Sequence, residues 1–305
     1  MSNITILDGG MGRQLHVIGA PFRQPEWSAL ALLEAPHYVC QAHMDFIKAG
    51  ADIITVNSYA IVPFHIGEER FATKGAALLQ LAVEMAMKAR TEAKSKRQIK
   101  IAGSVPPVCG SYAPQYFDKK TALPILELFR DNLQACDLIL AETLSSIEEV
   151  ITVQNVFADI SVPLWISMTL DDSKHIEGRP CLRSEETVAD ALAAIFTHKP
   201  MPQAILFNCS QPEIMEEAIH TAHEICAHDT KTKDIKIGVY ANAFEPKDKE
   251  TSKANEDYSV LRPDLTPQLY AQFAKTWIAK GATIIGGCCG IGPDYIRQIK
   301  DIASA

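Results

Sequence analysis

Eight short runs of apolar and β-branched residues, spread along the whole chain, constrain the fold more than any other sequence feature. The runs occupy residues 4–9, 51–57, 99–105, 137–143, 163–169, 204–209, 236–242 and 282–288. Their first residues lie 26 to 48 positions apart, which leaves room for a helix in each interval. Apolar runs of this kind, each followed by a helix, are typical of a parallel sheet that is buried on both faces.

The chain length favours closure of this sheet into a barrel. The chain has 305 residues, and a (β/α)8 barrel needs roughly 250. Hydrophobic residues make up 47% of the sequence and charged residues 22%, enough for a large core. We therefore predict an α/β fold, a single (β/α)8 TIM-type barrel domain over residues 1–305. A doubly wound open sheet is the alternative.

Two helix starts and two long loops can be predicted from local patterns. Ser145 and Ser146 stand three residues before Glu148 and Glu149, which is the spacing of a capping box. Thr266, followed by a proline, is a second predicted helix cap. The polar segments 171–185 and 244–263 come after the fifth and seventh runs, so we expect them on the catalytic face as candidate lids.

Charge and hydropathy exclude several classes of function. The net charge of −8 argues against a nucleic acid or an anionic membrane as partner, because both select basic surfaces. No apolar run approaches the roughly 20 residues of a membrane span, and the first residues do not resemble a signal peptide. We expect a cytoplasmic protein that acts on small molecules; the sequence leaves its oligomeric state open.

Three of the eight cysteines coincide with the ends of predicted strands. Cys209 ends the sixth run, and Cys288 and Cys289 end the eighth between glycines. Active sites of (β/α)8 barrels lie at the carboxyl ends of the strands, so these residues should meet on one rim. Three thiolates with an open fourth position suit a catalytic zinc ion. We expect reduced cysteines in this compartment, and packing roles for most of the other five, with Cys109 set apart by its place near the loop after the third run: Cys40, Cys109, Cys136, Cys181 and Cys226.

Such a zinc site suggests alkyl transfer to sulfur. A substrate thiol in the open position would lose its proton near pH 7 and become a nucleophile. Asp8 and Glu142 end the first and fourth runs, so their carboxylates could bind the ammonium group of an amino-acid thiol. The alternative for each is a salt bridge at the rim or a helix cap.

Seven stretches occur in one order between Asp8 and Gly290: LDGGMGRQL, AGADIITVNSY, GSVPP, DLILAET, AILFNCS, VYANAFEP and IIGGCCG. Together they resemble the homocysteine S-methyltransferase family, with the FNCS and GGCCG pair as the most specific part. The resemblance implies that Cys209, Cys288 and Cys289 bind zinc and so activate the substrate thiol.

The resemblance also implies roles in substrate binding. Asp8 and Glu142 would hold the amino group of homocysteine. Four further positions would lie beside the substrate: Gly9, Gly10, Asn57 and Asn208. In this family the product is methionine. Its stand-alone branch uses S-methylmethionine or S-adenosylmethionine as methyl donor, and another branch uses betaine. The cobalamin-dependent synthases carry further domains, for which this chain is too short.

Two stretches depart from the family pattern. The segment after GSVPP reads VCGSYAPQYFDKK, and the seventh run continues as YANAFEP, where a proline before the asparagine and a serine and glycine after it are expected. Both lie near the expected donor position. The sequence therefore does not identify the donor, nor does it separate homocysteine from selenohomocysteine or a related thiol.

Two other functions compete with this interpretation. Residues 286–292 could form a phosphate-binding loop of a different barrel enzyme. Alternatively, a fourth protein ligand, His65 or His175, could close the metal site and make it a non-catalytic zinc-binding module.

Overall fold

The eight predicted strands form one parallel sheet. The computed structural model describes residues 4–172, 178–245 and 260–304. The strands are β1 (Thr5–Ile6), β2 (Ile53–Thr55), β3 (Lys100–Val105), β4 (Leu138–Leu144), β5 (Leu164–Met168), β6 (Ala204–Asn208), β7 (Lys236–Tyr240) and β8 (Ile284–Ile285). β4 extends one residue beyond its predicted run, and the other seven lie within theirs.

The sheet closes into a barrel. Consecutive strands from β2 to β8 pair in parallel, and β8 pairs with β1 through Thr5 and Ile284. A parallel bridge between Leu7 and Ile53 joins β1 to β2. The (β/α)8 barrel prediction is therefore confirmed, and the open doubly wound sheet is excluded.

Helices come after the strands and form the outer layer. Within the described residues they are α1 (Met11–Val17), α2 (Ala29–Glu34), α3 (Pro36–Ala49), α4 (Pro63–Ile66), α5 (Glu68–Glu92), α6 (Lys119–Asn132), α7 (Ile147–Val156), α8 (Val188–Thr197), α9 (Met215–Ala227), α10 (Pro267–Ala279) and α11 (Pro293–Ala303). Both predicted caps are confirmed. The Ser146 hydroxyl accepts from the Glu149 N–H, and the Thr266 hydroxyl accepts from the Leu269 N–H.

Side chains alternate between the two faces of each strand, so both faces become buried. In β4, Leu138 and Leu140 belong to the apolar cluster inside the barrel. Ile139 and Ala141 belong to the larger cluster between the strands and the helices. The next inward position in β4 is Glu142, at the carboxyl end of the strand. The same alternation thus supplies the core and aims polar side chains into the top of the barrel.

Strands β1 and β2, where the barrel closes, are joined by side-chain hydrogen bonds at the amino-terminal end of the barrel. The Arg97 guanidinium donates to the carbonyl oxygens of Gly50 and Ala51 and to the Asp52 carboxylate, at 2.7–2.8 Å. The other carboxylate oxygen of Asp52 accepts from the Ile6 N–H at 3.1 Å. These contacts hold β1 to β2 at the amino-terminal end, away from the polar side chains of the carboxyl end.

The two predicted lids lie partly outside the described residues. Residues 173–177 and 246–259 are not described. The flanks of the second lid are joined by an antiparallel bridge between Phe244 and Leu261. Among the helices of the described ranges, none has the length and hydropathy needed to cross a membrane.

His43 in α3 is fully buried, and neither ring nitrogen has a hydrogen-bond partner among the described residues. Burial lowers its pKa to about 3. A histidine in the unfolded chain titrates near 6.5, so the native state loses stability as the pH falls below that value. We predict that His43→Leu raises the free energy of unfolding by about 1 kcal/mol at pH 8, because it removes two unpaired polar atoms. The difference in unfolding free energy between His43→Leu and wild type should be about 2 kcal/mol larger at pH 5 than at pH 8.

Urea unfolding at both pH values measures this difference. His220→Leu, at an exposed position of α9, is the control for the same change of side chain. A His43→Leu variant that is less stable than wild type, or whose gain is equal at both pH values, would contradict the prediction.

Candidate active site

The predicted site residues meet at one cavity at the carboxyl ends of the strands. The cavity has a volume of about 1070 Å³. Eight of the nine residues singled out from the sequence line it: Asp8, Gly9, Gly10, Asn57, Glu142, Cys209, Cys288 and Cys289. The ninth, Asn208, is fully buried beneath the cavity and does not line it.

The three cysteine sulfurs form a compact cluster. All three lie within 4.8 Å of one another, and the Cys209 and Cys289 sulfurs are 3.6 Å apart. In this structure Cys209 and Cys288 form a disulfide, whereas we expected all three to be thiols. The physical reason is proximity, because strand ends that bring sulfurs close enough for one ion also bring them close enough to bond. Metal binding by all three sulfurs requires the reduced form.

The backbone at β6 and β8 is shaped to present these sulfurs. Cys209 has a positive φ of 54°, which is rare for residues with a side chain, and its N–H donates to the Tyr240 carbonyl oxygen. The Cys288 N–H donates to the Ala241 carbonyl oxygen at 2.9 Å. A Cβ atom on Gly10 would lie 2.6 Å from the Cys288 carbonyl oxygen, so only glycine fits there.

The donor set suits a thiophilic metal ion. Three sulfurs supply three soft ligands, and Cys209, Cys288 and Cys289 all line the cavity, which leaves an approach for a further ligand. Among the described residues no histidine or carboxylate joins the cluster. His65 Nδ1 instead donates a hydrogen bond to the Pro25 carbonyl oxygen at 2.9 Å. His175 lies outside the described residues.

Four N–H groups of the glycine-rich stretch 286–292 are occupied by backbone hydrogen bonds. The N–H of Gly286 donates to the Val239 carbonyl oxygen, and that of Gly287 donates to the Asp8 carbonyl oxygen. The N–H groups of Cys288 and Ile291 also donate to carbonyl oxygens. Phosphate-binding loops need free N–H groups, so these four are not available to a phosphate.

Asp8 is a buried carboxylate at the end of β1. Its oxygens accept from the Thr55 N–H at 2.7 Å and from the Thr55 hydroxyl at 2.9 Å. Burial raises the pKa of Asp8 to about 7, against the lowering effect of these hydrogen bonds, and the Glu142 charge raises it further. Asp8 makes no ion pair with any described residue.

Glu142 faces the same cavity from β4. One of its oxygens accepts from the Ser104 hydroxyl, and the other accepts from the Tyr240 hydroxyl at 3.3 Å. Burial raises its pKa to about 7, although both hydrogen bonds lower it. Asp8 and Glu142 are therefore two buried acids without a cationic partner among the described residues. A ligand ammonium would favour the ionised form of both.

The remaining predicted positions differ in what they offer a ligand. Asn57 lines the cavity while its side-chain amide donates to the Ser28 carbonyl oxygen at 2.9 Å. The Gly10 N–H is already bound to the Ile291 carbonyl oxygen, so Gly10 contributes close approach rather than a free donor.

Loop residues complete the cavity in ways that the sequence did not reveal. The Arg183 guanidinium lies over the Tyr112 ring, 4.8 Å from its centre, and pairs with the Asp172 carboxylate at 2.8 Å. Tyr112 has a positive φ of 62°, and the Tyr59 hydroxyl lies 2.7 Å from the Ser111 hydroxyl. Asp172 and Arg183 belong to the predicted lid 171–185, and Tyr112 belongs to the stretch after GSVPP, but their mutual contacts had no signal in the sequence.

The five other cysteines lie outside the sulfur cluster. Cys40, Cys136 and Cys226 are buried in the core, which agrees with packing roles. Cys109 and Cys181 are half-buried, and Cys109 also lines the cavity.

Known proteins share both the sequence and the fold. A family model described as homocysteine S-methyltransferase matches residues 5–303. Homocysteine S-methyltransferase 1 from Zea mays is 29% identical over 97% of this chain and 93% of its own length. A selenocysteine methyltransferase from Astragalus bisulcatus is 26% identical over 98% of this chain and 92% of its own.

A solved structure extends the similarity to three dimensions. The metallated form of the homocysteine methyltransferase MmuM from Escherichia coli matches with a TM-score of 0.75 and 25% identity, covering 98% of this chain and 96% of that one. The same protein has been solved in an oxidized form, which matches with the same TM-score. The family model covers nearly the whole chain, and the site has the predicted cysteines and carboxylates. The chain is therefore a methyltransferase that belongs to the homocysteine S-methyltransferase family.

Proposed function

We propose that this protein transfers a methyl group from a sulfonium donor, S-methylmethionine or S-adenosylmethionine, to the thiol of L-homocysteine, giving methionine. We further propose that the three cysteines hold zinc. One observation carries the proposal. Three clustered sulfurs and two buried, uncompensated carboxylates line the same cavity, which suits a ligand with a thiol at one end and an ammonium at the other.

The carboxylates would fix the acceptor. Asp8 and Glu142 accept hydrogen bonds from the ammonium group, and their burial strengthens this attraction because water does not screen it. Thr55, Ser104 and Tyr240 hold the two carboxylates in place through the hydrogen bonds described above. The homocysteine sulfur is thereby directed towards the cysteine cluster.

Zinc bound by the three thiolates would keep a fourth sulfur in its thiolate form near neutral pH. The homocysteine thiol would release its proton to solvent on binding, and the sulfur would then attack the donor methyl carbon. A new carbon–sulfur bond forms as the bond between the methyl group and the donor sulfonium breaks. The electron pair of the broken bond stays on the donor sulfur, which leaves as a neutral thioether.

The cavity walls suit a cationic donor. Aromatic side chains of Trp27 and Tyr59 line it, and aromatic rings attract cations. A quaternary ammonium donor such as betaine would exploit the same faces and is the second candidate. The similarity to a selenocysteine methyltransferase favours a selenol as an alternative acceptor on the same site.

Metal content is the first test. We predict about one zinc per chain in reduced protein, with three sulfur ligands that become four when homocysteine is added. Metal analysis and zinc-edge X-ray absorption measure both quantities. The proposal would be refuted if reduced protein supplied with zinc binds no zinc. It would also be refuted if the number of sulfur ligands stays the same when homocysteine is added.

A cysteine substitution tests whether metal and activity depend on the same residue. We predict that Cys289→Ser loses zinc and methyl transfer together but keeps its circular dichroism spectrum, because a rim side chain contributes little to the core. Cys109→Ser is the matched control, since Cys109 lines the cavity outside the sulfur cluster. Full activity of metal-free Cys289→Ser would rule out the mechanism.

The carboxylates predict a pH dependence. Both pKa values lie at about 7 without substrate, so kcat/KM for homocysteine should rise with pH through 7 as the two acids ionise. Glu142→Gln should lower kcat/KM by about 10- to 100-fold above pH 8, since one charged hydrogen bond is lost. The ratio of wild type to variant should shrink as the pH falls to 6.

Wild type and Glu142→Gln both depend on deprotonation of the substrate thiol, so the ratio of their kcat/KM values reports on the Glu142 carboxylate alone. Glu149→Gln is the control, because burial also raises the pKa of Glu149 to about 7 but Glu149 does not line the cavity. A pH-independent ratio for Glu142→Gln would argue against ammonium binding by Glu142.

A further inference from the structure

Asn208, which the family resemblance placed beside the substrate, is enclosed by protein in this structure. It directly precedes Cys209 at the end of β6, yet it is 0% exposed and does not line the cavity. Its polar atoms contact Thr143 in β4, Ser167 in β5 and Cys288 in the segment after β8.

The orientation of the Asn208 amide is fixed by its partners. The side-chain oxygen accepts from the Thr143 N–H at 2.9 Å and from the Ser167 hydroxyl at 2.7 Å. A backbone N–H can only donate, so the atom that faces it must be the oxygen. The amide nitrogen therefore points the other way, where it donates to the Thr143 hydroxyl at 2.8 Å and to the Cys288 sulfur at 3.8 Å.

We propose that in the reduced protein Asn208 is a positioning residue for the metal centre, which orients Cys288 and stabilises its thiolate through an N–H···S hydrogen bond. An N–H donor withdraws electron density from a thiolate, so the sulfur donates less charge to a bound metal. A metal that receives less charge from its protein ligands holds an added substrate thiolate more strongly. The inference rests on the proposed three-cysteine metal site.

The same amide connects the sulfur cluster with the acceptor carboxylate. Thr143 comes directly after Glu142 and has a positive φ of 62°, a conformation that residues with side chains rarely adopt. Asn208 holds Thr143 through both its N–H and its hydroxyl. A single side chain thus contacts both Cys288, which follows β8, and the backbone beside Glu142 in β4.

The Asn208→Asp substitution separates the hydrogen bonds to Thr143 and Ser167 from the hydrogen bond to the Cys288 sulfur. The aspartate keeps an oxygen for the Thr143 N–H and the Ser167 hydroxyl, but it places a second oxygen towards the Cys288 sulfur. We predict that zinc affinity, measured by competition with a chromophoric chelator, falls by about 10- to 100-fold. In the cobalt-substituted protein, the sulfur-to-cobalt charge-transfer band should move to longer wavelength.

Gln154→Glu is the matched control. Gln154 is also 0% exposed and donates two hydrogen bonds, to the carbonyl oxygens of Ile195 and Pro200, remote from the sulfur cluster. Gln154→Glu makes the same change from amide to acid at a buried position, so it shows how a general loss of stability affects metal binding. It should leave zinc affinity and the cobalt band unchanged.

A measurement on the unmodified chain covers the case in which Asn208→Asp does not fold. In protein loaded with an NMR-active cadmium isotope, the Asn208 side-chain amide proton should show scalar coupling to the metal through the sulfur. Absence of this coupling overturns the proposal. Wild-type zinc affinity and an unshifted cobalt band in Asn208→Asp overturn it as well.

These readouts use zinc, cobalt and cadmium without homocysteine or a methyl donor. A protein that shows the expected metal effects but does not methylate homocysteine would refute the proposed function alone. Metal binding that is insensitive to Asn208 would refute this inference alone, and a protein that binds none of the three metals would refute both.

Discussion

The alternation of side chains along the strands of a closed barrel is the constraint on which the rest of this structure depends. Ala204 and Leu206 of β6 fill the barrel interior, and the next inward position is Asn208. In β7 the interior position at the strand end is Tyr240, and above β8 it is Cys288. Polar side chains therefore form a layer directly above an apolar one, and this layer supports the floor of the active site.

Barrel closure then decides which parts of the chain become neighbours. Asp8 lies near the beginning of the sequence and the cysteine pair near its end, yet the Gly287 N–H donates to the Asp8 carbonyl oxygen at 2.9 Å. The Gly10 N–H donates to the Ile291 carbonyl oxygen at the same distance. An open sheet would separate these segments. The juxtaposition of a carboxylate and the sulfur cluster is thus a property of the closed ring rather than of either motif.

Features that depend on periodicity can be predicted from the sequence, whereas features that depend on loop conformation largely cannot. The eight strands, the convergence of the cysteines and the inward direction of Glu142 all result from repeated apolar runs and their ends. The family resemblance placed Asn208 beside the substrate, and its burial under the cavity depends on packing that no motif encodes. The contact of Arg183 with Tyr112 depends on a positive φ and on two separate loops, which no local pattern encodes. The pairing of Cys209 with Cys288 was also not predicted, since strand ends fix proximity but not oxidation state.

The hydrogen bonds that join β1 to β2 through Arg97 and Asp52 have a consequence for how the cavity lining can change. These hydrogen bonds lie at the amino-terminal end of the strands, whereas the cavity lies at the carboxyl end. The contacts that close the ring and the residues that line the cavity therefore lie at opposite ends of the barrel. Substitutions in the loops after β3, β5 and β7 can change the cavity lining without touching the contacts that close the ring. The VCGSYAPQYFDKK and YANAFEP segments lie at the cavity end, where a change of side chain leaves the Arg97 and Asp52 hydrogen bonds in place.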